Sequence, residues 1–270
     1  MCYDDNARPP TPPGLGGGGG GPNEDLTLTA ADGNQFMGFA AHADQPRGAQ
    51  VLIYPDVRGL HQFYKELALR FAEAGLTALA MDYFGRTAGL TARDDAFDFQ
   101  PHVAQMTLPT FFTDVRASVS YLRSLSTTPQ PIFTIGFCMG GALSLYSSTE
   151  DLGLAGVIAF YAGMKRVWDE KKGALPDAAL YSKVPVLGLF GGADPGIPNE
   201  QVQALDEVLD KTGVSHAIHI YDGAPHSFFD RRYAEWKDAC DDAWSRIFKF
   251  IDGPVRRRRP RHSQQTGEKR

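Results

Sequence analysis

Cys138 stands between two glycines, Gly136 and Gly140, where an apolar run meets a stretch of helix-forming residues. Glycines at these two positions leave room for backbone that a side chain would clash with, as a sharp strand-to-helix turn requires. A thiol at the N-terminus of a helix meets the partial positive charge of unpaired N–H groups, which favours the thiolate. The pattern predicts that Cys138 is a nucleophile, and the alternative is a small apolar residue in a buried turn.

Two further residues could complete a catalytic set with this thiol. Asp194 follows the apolar run 184–190, and His226 follows the strand-like run 217–221. An imidazole can accept the proton of a thiol, and a carboxylate can fix the orientation of that imidazole. The alternatives are an acid in a common turn and a solvated loop histidine. Because the chain order of nucleophile, acid and histidine is that of α/β-hydrolases, the three residues together predict a Cys–His–Asp triad.

The elements that would position these residues alternate along the chain. Apolar runs alternate with amphipathic stretches, which predicts a single α/β domain with a mostly parallel sheet, helices on both faces and an antiparallel hairpin at the start. Together with the chain order of the triad, this predicts a single-domain α/β-hydrolase fold. Active residues would then lie at the carboxyl ends of the strands. The predicted strands are 26–29, 35–39, 50–54, 77–81, 132–135, 156–160, 184–190 and 217–221, and the predicted helices are 62–74, 112–125, 201–211 and 236–251.

A long segment of weak periodicity, residues 87–110, contains Phe97, Phe99 and His102. Loops of this length usually carry function or cover a site. We therefore expect the segment to help wall the substrate pocket, and the alternative is that the two phenylalanines simply pack in the core.

Residues 25–252 resemble the dienelactone hydrolase family, whose members use a Cys–His–Asp triad on an α/β-hydrolase fold to open lactones and related esters. The resemblance extends to the loop 54–60, Tyr-Pro-Asp-Val-Arg-Gly-Leu. It implies that Asp56 lies beside the nucleophile and that the N–H of Val57 is an oxyanion donor. The N–H of Met139, next to the nucleophile, would be the second donor.

The resemblance also covers the turn 82–86, Asp-Tyr-Phe-Gly-Arg. It implies that Arg86 binds the carboxylate of an anionic substrate. The alternative is a structural salt bridge from Arg86 to a neighbour such as Asp56 or Asp82.

Two positions depart from the family pattern. The best-known members have a glutamate where this chain has Asp56, which is one methylene shorter. They also have a second anion-binding arginine four residues after the histidine, where this chain has Asp230, followed by Arg231 and Arg232. The sequence thus supports the reaction class better than one particular carboxylated lactone.

The expected function is a cysteine-dependent hydrolase of a small ester or lactone, which acts through a thioester acyl-enzyme. This chemistry needs no metal or organic cofactor. The alternative is an α/β-hydrolase-fold protein that binds a small molecule without turnover, because a fold does not establish catalysis. The sequence leaves the physiological substrate and the oligomeric state open.

Length and composition predict three regions. A chain of 270 residues with 43% hydrophobic residues can bury one sizeable core. The predicted domain covers 25–253, preceded by a disordered leader at 1–24 that is rich in proline and glycine. The tail 254–270, with seven Lys and Arg from Val255 onward, is predicted to be disordered and solvated.

The net charge and the cysteine content indicate which binding partners and which cell compartment to expect. The net charge is −5 in spite of the basic tail, so the acidic body argues against nucleic acid as the main ligand. No apolar run reaches 18 residues, so no membrane partner is expected. The three cysteines, Cys2, Cys138 and Cys240, have neither disulfide nor metal-ligand spacing. A free thiol suits a reducing compartment, and a cytoplasmic location is expected.

Overall fold

The sheet lies at the centre of the computed structural model, which describes residues 8–16, 21–230 and 232–253. Among these residues the strands are β1 (Asn23–Thr29), β2 (Gln35–Ala41), β3 (Gln50–Tyr54), β4 (Thr77–Met81), β5 (Ile132–Phe137), β6 (Gly156–Phe160), β7 (Val186–Gly191) and β8 (His216–Tyr221). They form one sheet in the order β1-β2-β4-β3-β5-β6-β7-β8. Strands β3 to β8 run parallel, while β1 and β2 pair antiparallel with each other and β2 pairs antiparallel with β4. The predicted fold class is confirmed.

Helices cover the sheet and connect its parallel strands. The described helices are α1 (Gln62–Glu73), α2 (Gly85–Ala88), α3 (Gln100–Gln105), α4 (Leu108–Ser124), α5 (Met139–Ser147), α6 (Asn199–Thr212) and α7 (Lys237–Asp252), with a 3-10 turn at Asp177–Tyr181. None of these described helices combines the length and the apolar character that crossing a bilayer requires. Helix α4 begins four residues before the predicted start because Thr107 lies at its N-cap and Pro109 in its first turn, a position where proline is favourable.

The register of the central strands places the starts of three loops at the same edge of the sheet. Tyr54, the last residue of β3, pairs with Gly136 near the end of β5. Gly136 in turn pairs with Ala159 of β6. The chain segments that follow β3, β5 and β6 therefore leave the sheet side by side, as carboxyl ends of parallel strands do.

The segment after β4 is fixed by a fully buried ion pair. Arg93 donates from Nε and Nη2 to the two carboxylate oxygens of Asp82, at 3.1 and 3.0 Å. Asp82 also accepts hydrogen bonds from the backbone N–H groups of Leu60 and Phe84. Both charged side chains are completely buried, so water cannot replace either partner if the pair separates.

The aromatic residues of the long segment pack inward. Phe97 and Phe99 are half-buried against the core. The guanidinium of Arg93 lies 4.6 Å from the centre of the Phe97 ring, and the ring of His102 stacks on Phe97 at 5.1 Å. These contacts support the alternative of core packing for the phenylalanines.

Part of the predicted leader belongs to the packed domain, which corrects the predicted boundary at residue 25. Pro9, Pro10 and Pro12 are buried, and the carbonyl of Pro10 accepts a hydrogen bond of 3.2 Å from the indole N–H of Trp244. Proline has no N–H to satisfy, so its ring can be buried at little polar cost. Strand β1 also begins within the predicted leader, at Asn23. The predicted tail lies outside the described residues.

Deleting residues 1–16 is expected to lower the free energy of unfolding by about 1–3 kcal/mol, because the buried indole N–H of Trp244 loses its acceptor. Urea denaturation measures the change. Deletion of 254–270 is the control and should leave the value unchanged. Equal stability of the full chain and the 1–16 deletion would show that the leader contact contributes nothing.

Candidate active site

Cys138 lies at the turn between β5 and α5 in a strained backbone conformation. Its φ of 55° and ψ of −112° are rare for a residue with a side chain. The N–H of Cys138 donates to the carbonyl of Phe160 at the end of β6, at 3.1 Å. Strain of this kind persists only where the surroundings hold it, and it concentrates at functional sites.

Three glycines make this turn possible. A Cβ on Gly136 would lie 1.9 Å from the carbonyl oxygen of Gly140, and a Cβ on Gly140 would lie 2.1 Å from that of Pro55. A Cβ on Gly141 would lie 2.5 Å from the carbonyl oxygen of Phe160. The start of α5 therefore fits between the ends of β3 and β6 only without side chains at these positions.

His226 and Asp194 form a short hydrogen bond, with 2.6 Å between Nδ1 and Oδ2. The Asp194 side chain is buried, whereas that of His226 is about one-third exposed. Burial alone would raise the pKa of Asp194, but the hydrogen bonds from His226 and from the N–H of Gly196 outweigh it and hold that pKa below its ordinary 3.8. An ionised Asp194 requires Nδ1 of His226 to be the donor, so Nε2 is the ring nitrogen that can act as a base.

The loop after β3 is held by side chains that the sequence did not single out. The hydroxyl of Tyr64 accepts from the N–H of Asp56 at 2.9 Å, and the hydroxyl of Tyr83 donates to the carbonyl of Pro55 at 2.7 Å. Asp56 is buried, and its Oδ1 accepts from the N–H of Arg58 at 2.9 Å. This turn shapes the backbone that carries Val57. Tyrosines that bond to backbone leave no spacing pattern in a sequence.

The second candidate oxyanion donor belongs to Met139. Met139 is the first residue of α5, and the first N–H groups of a helix have no partner inside that helix. The turn that strains Cys138 thus also sets the direction of this N–H.

Arg86 is engaged with two aspartates. Its Nη1 lies 2.6 Å from Oδ2 of Asp32, in the β1–β2 turn. Its Nη2 lies 2.7 Å from Oδ1 of Asp114 on α4, and its Nε donates to the other oxygen of Asp114 at 3.1 Å. A cavity that Arg86 lines measures about 20 Å³, which is too small for a substrate. These contacts favour the structural salt bridge, with partners other than Asp56 or Asp82.

Asp230 and Arg232, at and beside the position of the family's second arginine, both have partners within the protein. Asp230 is buried and accepts a hydrogen bond from the hydroxyl of Tyr161 at 3.0 Å. Arg232 pairs with Glu235 on the surface. Arg231 lies outside the described residues.

The two described cysteines have different environments. Cys138 is partly exposed, and Cys240 is buried within α7. Burial raises the pKa of the Cys240 thiol to about 12. Cys2 lies outside the described residues. Within the part of the chain that the structure describes, no group of three or more His, Cys, Asp or Glu could hold a metal ion.

The model of the dienelactone hydrolase family matches residues 36–253. The chain belongs to the dienelactone hydrolase family. It is therefore a member of a family of ester and lactone hydrolases, and the match covers both the turn at Cys138 and the His226–Asp194 pair.

Relatives of this dienelactone hydrolase family member span most of its length. A protein of Saccharolobus solfataricus named "Putative carboxymethylenebutenolidase" is 26% identical over 258 residues, covering 82% of this chain and 95% of the relative. A Methylorubrum extorquens protein of the same name is 27% identical over 205 residues, covering 73% of this chain and 69% of the relative.

Solved structures support the fold. A crystal structure described as "Putative Dienelactone Hydrolase" from Klebsiella pneumoniae has a TM-score of 0.73 at 20% identity, covering 86% of this chain and 100% of that one. A dienelactone hydrolase-like promiscuous phosphotriesterase from metagenomic libraries has a TM-score of 0.66 at 21% identity, covering 86% of this chain and 98% of that one.

Gly136→Ala is expected to lower the free energy of unfolding by about 3 kcal/mol, because the added Cβ meets rigid backbone rather than a flexible side chain. Urea denaturation checks this value. Gly163→Ala is the matched control, since a Cβ there meets nothing within 4 Å. Equal effects of the two substitutions would contradict the close approach at the turn.

Asp194→Asn is expected to destabilise the protein at neutral pH and to lose that effect in acid. The folded-state pKa of Asp194 lies below 3.8, so its contribution is full above 3.8 and is lost as the pH falls through the folded-state pKa. The measurement is the free energy of unfolding of both proteins from neutral to acid pH. Asp222→Asn, at an exposed position after β8, is the control. A difference that widened in acid would contradict the assigned sign.

Proposed function

We propose that this protein is a cysteine-dependent hydrolase of a small ester or lactone that works through a thioester acyl-enzyme. The proposal rests on the strained turn that presents Cys138. In the same chain His226 and Asp194 form a hydrogen bond of 2.6 Å. Nucleophile, base and orienting acid are the three roles that acyl transfer through a covalent intermediate needs.

In the acylation step the sulfur of Cys138 attacks the acyl carbon of the substrate. Nε2 of His226 takes the thiol proton, and Asp194 stabilises the imidazolium that forms. The carbonyl π-electrons move to oxygen and give a tetrahedral oxyanion. Collapse of that oxyanion breaks the bond to the leaving oxygen, which takes the proton from His226 when it leaves as an alcohol.

We propose that the oxyanion is bound by the N–H groups of Val57 and Met139. Donors that are fixed before the reaction stabilise developing charge without reorganising, and each is worth about 3 kcal/mol in comparable sites. The hydrogen bonds of Tyr64 and Tyr83 to the loop after β3 support this assignment, because they fix the backbone next to Val57.

In the deacylation step water replaces the leaving group. His226 takes a proton from the water, whose oxygen attacks the thioester carbon. The second tetrahedral intermediate then expels the sulfur of Cys138, the thiol regains a proton from His226, and a carboxylic acid is released. A neutral His226 starts and ends the cycle, so the protons balance.

We propose that Arg86 does not bind the substrate. Asp32 and Asp114 already satisfy its guanidinium, and freeing it would leave the buried carboxylate of Asp114 without its ion pair. A neutral ester or lactone should then be accepted as readily as a carboxylated one. The cytoplasmic location stays a prediction.

The test compares p-nitrophenyl acetate, a neutral enol lactone and a carboxylated dienelactone on the wild type, Cys138→Ala and Cys240→Ala. We expect loss of at least about 10³-fold in kcat for Cys138→Ala, near-normal turnover for Cys240→Ala, and kcat/KM values for the two lactones within about tenfold of each other. Turnover that survives in Cys138→Ala would refute the cysteine mechanism. No turnover of any substrate by the wild type would favour the binding-protein alternative. A strong preference for the carboxylated lactone would refute the assignment of Arg86.

A further inference from the structure

Tyr161, the first residue after β6, lies against the catalytic histidine. Its ring centre is 4.8 Å from that of His226, and the residue is fully buried. Its φ of 34° lies in the region that residues with side chains rarely adopt. A strained residue in contact with a catalytic base points to a role in placing that base.

The hydroxyl of Tyr161 forms a hydrogen bond with Asp230, four residues after His226 in the chain. It donates to Oδ2 of Asp230 at 3.0 Å. Asp230 is buried, and its N–H closes a turn on the carbonyl of Ser227 at 3.2 Å. Ser227 also has a positive φ, of 60°. Ser227 thus places backbone strain directly after His226, and such strain persists only where the surroundings hold it.

The same stretch of backbone also holds the nucleophile. The carbonyl of Phe160, the residue before Tyr161, accepts the hydrogen bond from the N–H of Cys138. The last residue of β6 and the residue after it thus contact both partners of the proton transfer, Phe160 through its carbonyl and Tyr161 through its side chain. A shift of either contact would change the position of His226 relative to the sulfur.

We propose that Tyr161 and Asp230 are positioning residues, whose hydrogen bond fixes the loop of His226 over Cys138. The inference rests on the proposed function, and neither residue is assigned a contact with the substrate. Small displacements of a catalytic group cost large factors in rate, so a bond that locks the loop acts on kcat more than on KM.

The competing explanation is that the Tyr161 ring only packs, and it predicts different effects of substitution. The ring contacts the rings of Phe137, Phe160 and Phe228. Tyr161→Phe keeps this packing and removes only the hydroxyl. Asp230→Asn keeps an oxygen that can accept the bond, whereas Asp230→Ala removes it.

The control is another buried tyrosine whose hydroxyl also donates a hydrogen bond. The hydroxyl of Tyr146, on α5, donates to the carbonyl of Gly173 at 2.7 Å. Tyr146→Phe therefore removes a tyrosine hydroxyl that donates to a backbone carbonyl, from a ring that is equally buried.

The experiment measures kcat and KM with p-nitrophenyl acetate, together with the low-field NMR signal of the Nδ1 proton of His226 in the absence of substrate. We expect Tyr161→Phe and Asp230→Ala to lower kcat about tenfold with KM within about twofold, and to shift or broaden the signal. Asp230→Asn and Tyr146→Phe should keep kcat within about twofold and the signal unchanged.

A wild-type kcat and signal in Tyr161→Phe would overturn the proposal, as would an Asp230→Asn protein that fails like Asp230→Ala. If Tyr161→Phe does not fold, the comparison of Asp230→Asn with Asp230→Ala decides. Turnover that survives in Cys138→Ala would refute the proposed function alone, because the proton signal reports the position of His226 whether or not the protein turns over a substrate.

Discussion

Close contact of backbone with backbone around Cys138 is the constraint on which the site depends. Gly136, Gly140 and Gly141 bring the start of α5 within van der Waals range of the ends of β3 and β6. The parallel register places those strand ends side by side. The loop of Val57, the thiol and the contact between Tyr161 and the imidazole therefore share one edge of the sheet.

Arginine side chains stabilise the loops around this edge. Arg58 pairs with Asp95, which joins the loop after β3 to the segment after β4. Arg86 joins the β1–β2 turn to α4 through two aspartates. Guanidinium groups suit this use because their planar fork binds carboxylates in two places at once. Arg58 and Arg86 thus each pair with carboxylates of neighbouring segments. The sequence shows a residue type and position that fit an anion clamp, but it does not show these partners.

Local patterns in the sequence sufficed for the fold class and for the strand ends that carry Cys138, Asp194 and His226, because hydrophobic periodicity and glycine spacing are short-range signals. Contacts between distant segments were not accessible in this way. Asp32 and Asp114 are far from Arg86 in sequence, and nothing local marks them as its partners. The leader was predicted to be disordered because it is rich in proline and glycine. Its hydrogen bond from the indole N–H of Trp244 to the carbonyl of Pro10 depends on a distant residue, so no local pattern predicts it.

The buried pair of Asp82 and Arg93 has a consequence for the exchange of loops between homologues. Replacing one partner leaves a charge in an apolar interior, which costs about 3–5 kcal/mol. A graft that cuts between residues 82 and 93 separates the two charges, whereas one that takes the whole span carries them together. Recombination in libraries built on this scaffold is thus best confined to cross-over points outside that span.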